Sequence, residues 1–224
     1  MIPMRPVGEG WLVLLGGGEF TFGETLDADE AWLAKAGSGT VGFLPTASGS
    51  DDYGRQFTGY LEEEFDRVAE TIPVYRPRDA RRGRNVERIA DAAAVYLGAG
   101  IADRLIETVE GTPVAEALLD KLRAGGTVVA IAGAAQALGQ VARSIAVGKT
   151  LLGLGWLPFG VIEPNFNPEH DRRLRKLLTE PGVRWGLGLP ADSALFLGPR
   201  GVVESRGPVF RLDTANGDLV ELTG

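Results

Sequence analysis

The chain has 224 residues and a formal net charge of −7, with 44% hydrophobic and 24% charged residues. These values are typical of a folded protein and argue against disorder and against a nucleic-acid-binding surface. The chain contains no cysteine and a single histidine, His170. Disulfides, thiolate nucleophiles and metal sites with two histidine ligands are therefore excluded.

Short apolar runs alternate with helical patterns over the first 142 residues. Strands are predicted where four or five apolar residues meet glycine or proline, and helices where apolar residues recur every three or four positions. The predicted strands are 11–15, 40–44, 71–75, 94–97 and 127–131, and the predicted helices are 27–36, 51–70, 86–92, 101–109, 114–122 and 134–142. Such alternation implies a three-layer α/β/α sandwich with a mainly parallel sheet.

Short strands without intervening helices are predicted near the C-terminus, at 195–197, 202–204, 209–212 and 219–222. Turn sequences such as Asn216-Gly217 separate them, so we expect antiparallel strands added at one edge of the sheet. Before them, His170 begins a predicted helix that ends at Leu178, and we expect this histidine to be exposed to solvent. The basic segment Pro77–Arg84 is predicted to be a solvated loop, with anion binding as the alternative.

The chain carries no signal for a membrane, a second domain or a bound group. No segment is apolar over the length of a membrane span, and Met1 to Pro6 lack the apolar core of a signal peptide. Neither a linker nor an internal repeat is evident, which predicts one domain over residues 1–224. Carboxylate clusters such as Asp51-Asp52 have the pattern of a solvated face, and no dinucleotide or calcium motif is complete. We expect a cytoplasmic protein without metal, cofactor or membrane contact.

Glycine-rich segments follow three of the predicted strands, at Gly16–Gly18, Gly98–Gly100 and Ala132–Ala134. In an open α/β sheet, ligands bind beyond the carboxyl ends of the strands, and glycine there allows close approach of the backbone. Free N–H groups in the second and third segments would form an anion-binding site. The candidate ligand-binding residues are Gly17, Gly18, Glu19, Thr46, Ser48, Gly98, Ala99, Gly133, Asn165 and Asp192.

Several longer segments occur in a characteristic order: Leu14–Glu19, Leu44–Gly49, Tyr96–Ile101, Gly111–Pro113, Gly125–Ala135, Val161–Phe166 and Gly188–Ala194. This order resembles the serine peptidase family of aspartyl dipeptidase (peptidase E) and cyanophycinase. The likeness covers most of the chain. It implies the class I glutamine amidotransferase-like, flavodoxin-like fold, and a monomer or homodimer.

The resemblance also implies where a catalytic triad would lie. The family uses Ser, His and Glu, and these fall here on Ala132, Asn165 and Ala191. A triad needs a hydroxyl to attack, an imidazole to accept its proton and a carboxylate to orient the imidazole. Alanine supplies none of these groups, and asparagine does not exchange a proton near neutral pH. No residue from Val128 to Gly139 offers another nucleophile, so a shifted alignment does not restore one.

We therefore expect a non-catalytic member of the family, a pseudoenzyme whose remaining pocket binds a small acidic or peptide ligand. One alternative is a hydrolase with relocated groups, in which the hydroxyl of Thr46 or Ser48 attacks. A water activated by Glu19 or Asp192 would serve the same alternative. Another alternative is a structural or partner-binding protein whose old site is closed. Fold resemblance alone does not choose among them.

Overall fold

The computed structural model describes residue 2 and residues 8–222. Its strands are β1 Trp11–Leu15, β2 Val41–Leu44, β3 Ala69–Thr71, β4 Ala94–Leu97, β5 Thr127–Ile131, β6 Val141–Arg143, β7 Thr150–Leu152, β8 Gly160–Pro164, β9 Trp185–Leu189, β10 Ala194–Leu197, β11 Val203–Arg206, β12 Phe210–Leu212 and β13 Val220–Glu221. Its α-helices are α1 Leu26–Ala36, α2 Asp51–Phe65, α3 Gly83–Asp91, α4 Ala102–Val109, α5 Pro113–Arg123, α6 Gly133–Ala137 and α7 Arg172–Leu177. Short 3-10 helices lie at Phe20–Phe22, Asp79–Arg81, Pro168–His170 and Pro199–Gly201.

The main sheet has seven strands in the order β11-β10-β1-β5-β4-β2-β3. Neighbours from β1 to β3 pair in parallel, and β10 and β11 add to the other edge in antiparallel pairing. The carboxyl ends of β1, β5, β4, β2 and β3 therefore meet at one edge of the sheet. The predicted mainly parallel sheet is confirmed.

Alternate residues of the central strands enter two different cores. Leu12, Leu14 and Val128 pack with residues of α3, α4 and α5, whereas Val13 and Val129 pack with α1 and α2. This alternation follows from the two-residue period of a strand, and it covers both faces of the sheet with helices. The three-layer α/β/α architecture is confirmed.

The prediction that all the C-terminal strands join the edge of the main sheet is wrong. β10 and β11 do, but β12 and β13 form a second sheet of four strands with β9 and β8, in the order β13-β12-β9-β8. Strands β8 and β9 were not predicted from the sequence. In β9, Gly186 and Gly188 interrupt the apolar pattern because a Cβ at either position would strike a neighbouring side chain within 2.7 Å.

Three predicted boundaries are wrong. Helix α2 ends at Phe65 and not at residue 70, because Asp66 adopts a left-handed conformation with φ of 50°. Strand β3 ends at Thr71, since Pro73 has no N–H with which to continue the ladder. Helix α6 ends at Ala137, and the chain then turns into the β6–β7 hairpin.

The signal-peptide prediction rests on residues 1–6, and of these residues 1 and 3–6 lie outside the part of the chain that the structure describes.

A buried hydrogen-bonded group joins α1 to α2. The Asp29 carboxylate accepts bonds from Trp32 Nε1 at 2.7 Å and from the Tyr60 hydroxyl at 2.9 Å. Asp29 and Trp32 are completely buried. Burial raises the pKa of the Asp29 carboxyl, and burial next to this carboxylate also raises the pKa of Tyr60. Trp32 therefore contributes both apolar volume and one of the donors that this carboxyl requires.

Gly59 offers a substitution that should stabilise the protein. It lies inside α2, and a Cβ there would have no atom within 4 Å. We expect Gly59→Ala to raise the free energy of unfolding by about 0.5–1 kcal/mol, because alanine loses less backbone entropy in a helix. Urea unfolding checks this. Gly54→Ala in the same helix is the matched control, since its Cβ would lie 2.8 Å from Thr71 Oγ1 and should not stabilise.

Among the described residues, no helix combines the length and the apolar character that crossing a membrane would require.

Candidate functional site

Ala132 forms a sharp turn between β5 and α6. Its φ of 51° and ψ of −119° belong to neither a strand nor a helix, and a positive φ is uncommon for a residue with a side chain. Its N–H donates to the carbonyl of Leu15 at 3.0 Å, which fixes the turn against the end of β1. A strained strand–turn–helix of this kind holds the nucleophile of many hydrolases at its apex. Here the apex side chain is a methyl group.

Close backbone contacts hold this turn in place. A Cβ at Gly133 would lie 2.0 Å from the carbonyl oxygen of Gly100, and a Cβ at Gly100 would lie 2.2 Å from the carbonyl carbon of Ala47. The loops after β5, β4 and β2 are thus stacked backbone on backbone. The glycines predicted at these strand ends serve this close approach.

Asn165 and Ala191, the other two positions to which the resemblance assigned triad residues, reach the same strand end. Asn165 follows β8 with φ of 47°, and its N–H donates to the carbonyl of Gly16 at 2.9 Å. A Cβ at Gly17 would lie 2.2 Å from Asn165 Oδ1, and one at Gly18 would lie 3.1 Å from the carbonyl oxygen of Ala191. Ala132, Asn165 and Ala191 therefore surround the end of β1. Their side chains are two methyl groups and one carboxamide.

Two predicted hydroxyls beside this site are engaged with the backbone. Thr46 is fully buried and donates to the carbonyl of Val74 at 2.7 Å. Ser48 donates to the carbonyl of Pro45 at 3.0 Å. Neither bond partner is a base, so neither hydroxyl is activated for attack.

The remaining two polar candidates are Glu19 and Asp192. Glu19 caps the 3-10 helix at Phe20–Phe22 by accepting from Thr21 N–H, and its own N–H donates to Glu24. Asp192 is exposed next to Ala191. The capping geometry accounts for Glu19 without a catalytic role.

The expected anion-binding N–H groups are only partly free. The N–H of Gly98 donates to the carbonyl of Leu44 at 3.0 Å, so it is not available to a ligand. Ala99 lies beside Tyr53, whose phenol pKa burial raises to about 12. A phenol with that pKa stays protonated near neutral pH and does not act as a base.

Sequence reasoning missed a buried ion pair next to Asn165. Glu163, on β8, is buried and accepts two bonds from Arg143 on β6, at 2.9 and 3.1 Å. Gln136, on α6, lies 3.5 Å from the same carboxylate. Burial raises the pKa of Glu163, and Arg143 opposes that shift. A charged residue inside the apolar run Gly160–Pro164 was the available signal, but its partner lies on a strand that was not predicted.

A basic pocket of about 580 Å³ opens beside Asn165. Arg172, Arg173 and Lys176 line it together with His170, which is exposed as predicted. Among the described residues, none of the three cations has an ion-pair partner. This local positive charge contrasts with the net charge of −7 and suits an anionic ligand.

The architecture and the turn at Ala132 define an α/β protein of flavodoxin-like fold. The family model described as "Peptidase family S51" matches residues 12–202, so the chain belongs to that family. No curated protein matches the sequence.

Several solved structures share the fold, including the following two. A peptidase from an acI-B1 Actinobacterium has a TM-score of 0.77 and 20% identity, over 96% of this chain and 99% of that one. A protein from Listeria monocytogenes EGD-e, described as a peptidase E, has a TM-score of 0.62 and 15% identity, over 88% and 98%. At these identities the likeness concerns the fold alone.

Proposed function

We propose that the protein is a non-catalytic member of peptidase family S51 that binds a small acidic ligand or peptide. The observation that carries this proposal is the methyl group of Ala132 at the apex of the turn, where a serine peptidase requires a hydroxyl. Asn165 and Ala191 remove the base and the orienting acid as well. The turn itself is retained, so the chemistry is lost while the scaffold persists.

The basic pocket supports the acidic ligand. Arg172, Arg173 and Lys176 present cations to a pocket that begins at Asn165, and Glu163 in its wall is already paired with Arg143. Carboxylates bind well to such cations, and arginine adds a bidentate geometry. An open pocket of this size also favours ligand binding over a closed, purely structural role.

The relocated-hydrolase alternative has less support. Thr46 and Ser48 bond to backbone carbonyls, and Glu19 is occupied in capping. A nucleophile without an adjacent base reacts slowly near neutral pH.

The first test is hydrolysis of α- and β-aspartyl dipeptides, including β-Asp-Arg, by the purified protein. We expect no turnover above the uncatalysed rate, because Ala132 cannot attack. Glu19→Ala and Asp192→Ala preparations are assayed in parallel. Turnover by the native protein that either substitution abolishes would establish a rebuilt active site and contradict the proposal.

The second test is calorimetric binding of the same dipeptides. We expect Arg173→Gln to weaken binding about tenfold or more, the effect of losing one charge-assisted contact. Arg84→Gln is the matched control, because Arg84 is exposed and lies outside the pocket. Equal affinities for the native protein and Arg173→Gln would refute this pocket as the ligand site.

A further inference from the structure

A second pocket, of about 580 Å³, lies beyond β2 and β3 at the opposite edge of the main sheet from β11. Gly49 follows β2, Tyr75 and Arg76 follow β3, and Arg104 belongs to the first turn of α4. These residues belong to the segments that follow three neighbouring parallel strands, β2, β3 and β4. That is where open α/β sheets bind ligands. The pocket shares no residue with the basic pocket beside Asn165.

Positive charge exceeds negative charge in this pocket. Arg76, Arg78, Arg82 and Arg104 line it together with two carboxylates, Asp51 and Asp79. Arg78 and Arg82 pair with Asp79, at 3.9 and 3.3 Å. Among the described residues, no carboxylate lies within ion-pair distance of Arg76 or Arg104. Two guanidinium groups in the pocket therefore have no ion-pair partner within the described part of the chain, and its four arginines outnumber its two carboxylates.

Two buried side chains hold the backbone of the segment that carries Arg76. Asp79 is buried, and its Oδ2 accepts from the N–H groups of Tyr75 and Arg76 at 3.3 and 3.2 Å. Asn85 is also buried and donates to the carbonyls of Pro73 and Asp79 at 3.3 and 2.9 Å. The backbone of the segment predicted as a solvated loop is therefore held in a defined conformation, so ligand binding would not have to order it.

Arg104 is positioned by the opposite wall. Its guanidinium donates to the carbonyl of Ser48 and lies over Gly49, where a Cβ would come within 2.6 Å of Nη1. Gly49 has φ of 67°, so this conformation also favours glycine. The Asp51 carboxylate accepts a bond from the Tyr75 hydroxyl, which partly offsets its repulsion of an anion.

We propose that this pocket binds a small anion that carries phosphate groups. One guanidinium group can donate two parallel hydrogen bonds to two oxygens of a phosphate. Two arginines without ion-pair partners among the described residues, in a single polar pocket, therefore match a ligand with more than one negative charge. The volume is that of a small-molecule site. This proposal does not depend on the ligand assigned to the pocket beside Asn165.

Calorimetry with pyrophosphate tests the proposal, with citrate as a polycarboxylate of similar charge. We expect pyrophosphate to bind more tightly than citrate. Arg76→Gln and Arg104→Gln should each weaken pyrophosphate binding about tenfold or more. Arg76 makes no side-chain bond within the described protein, so its variant should fold normally, and thermal unfolding of each variant checks this. Arg84→Gln is the control that should bind as the native protein does, because Arg84 lines neither pocket. Arg173→Gln is measured alongside it to report any binding in the pocket beside Asn165.

Four outcomes would overturn the proposal. The first three are absence of pyrophosphate binding at millimolar concentration, citrate binding as tight as pyrophosphate, and equal loss in Arg84→Gln. Loss in Arg173→Gln but not in Arg76→Gln would assign the phosphate to the other pocket and would equally refute this one.

Discussion

Replacement of Arg143 by alanine should lower the free energy of unfolding by about 3 kcal/mol, the lower end of the range for a broken buried ion pair. The Glu163 side chain is 3% exposed and would lose the partner that neutralises it. The lower end applies because the Arg143 side chain is 34% exposed and its own charge can reach water. Urea unfolding of the native protein and the variant measures the difference.

The deficit of this variant should depend on pH. Burial already raises the pKa of Glu163, and loss of Arg143 raises it further. A carboxyl with a raised pKa binds its proton more tightly in the folded state, so protonation favours folding. The deficit should therefore shrink as the pH falls from neutral towards the ordinary glutamate value of 4.5.

Two controls separate the ion pair from general damage. Arg143→Ala combined with Glu163→Gln should be more stable than Arg143→Ala alone at neutral pH, because the amide needs no counter-charge. Arg123→Ala removes an exposed pair with Asp120 and should cost less than about 1 kcal/mol. A large deficit that stays constant with pH and survives Glu163→Gln would show that Arg143 acts through packing alone.

Replacement of Trp32 by alanine should have the largest effect, a loss of about 3–5 kcal/mol in the free energy of unfolding. The change leaves a cavity in the core beneath the sheet and removes a donor from the buried Asp29 carboxyl. Trp32→Phe keeps most of the side-chain volume and should lower the free energy of unfolding by about 1–3 kcal/mol. The main cause is that Asp29 Oδ1 loses its hydrogen-bond donor. Thermal and urea unfolding measure both.

Phe22→Ala is the control for this pair because Phe22 is also aromatic but 83% exposed. Its effect should stay within about 0.5 kcal/mol. If Trp32→Phe proved as stable as the native protein, the hydrogen bond to Asp29 would contribute nothing, and the role of Trp32 would be packing only.

The central parallel strands were predictable because their signal is local. Runs such as Trp11–Leu15 are apolar on both faces, which only a strand covered on both sides requires. The end of α2 was not predictable from periodicity, since the left-handed conformation of Asp66 overrides the apolar position of Val68, which is 68% exposed. Strands β8 and β9 of the second sheet were missed because glycines in β9 and a buried glutamate in β8 interrupt their apolar patterns.

The candidate site also contains some residues that the sequence could reveal and others that it could not. Ala132 and its flanking glycines lie in one continuous segment, so the turn was predictable from the sequence. Asn165 and Ala191 were assigned through a family resemblance, and only the fold brings them to the end of β1. The pairing of Arg143 with Glu163 joins residues on two strands that the sequence did not reveal, so no local pattern pointed to it.

The stacking of Gly133 on Gly100, and of Gly100 on Ala47, governs how this edge of the sheet opens. The backbones of these loops are in direct contact, so one loop cannot move without displacing the next. In addition, the N–H of Ile101 donates to the carbonyl of Ala47 at 3.0 Å. We therefore expect local unfolding here to be one cooperative event and not three independent ones. The strained turn at Ala132 persists because the two neighbouring loops would have to melt with it.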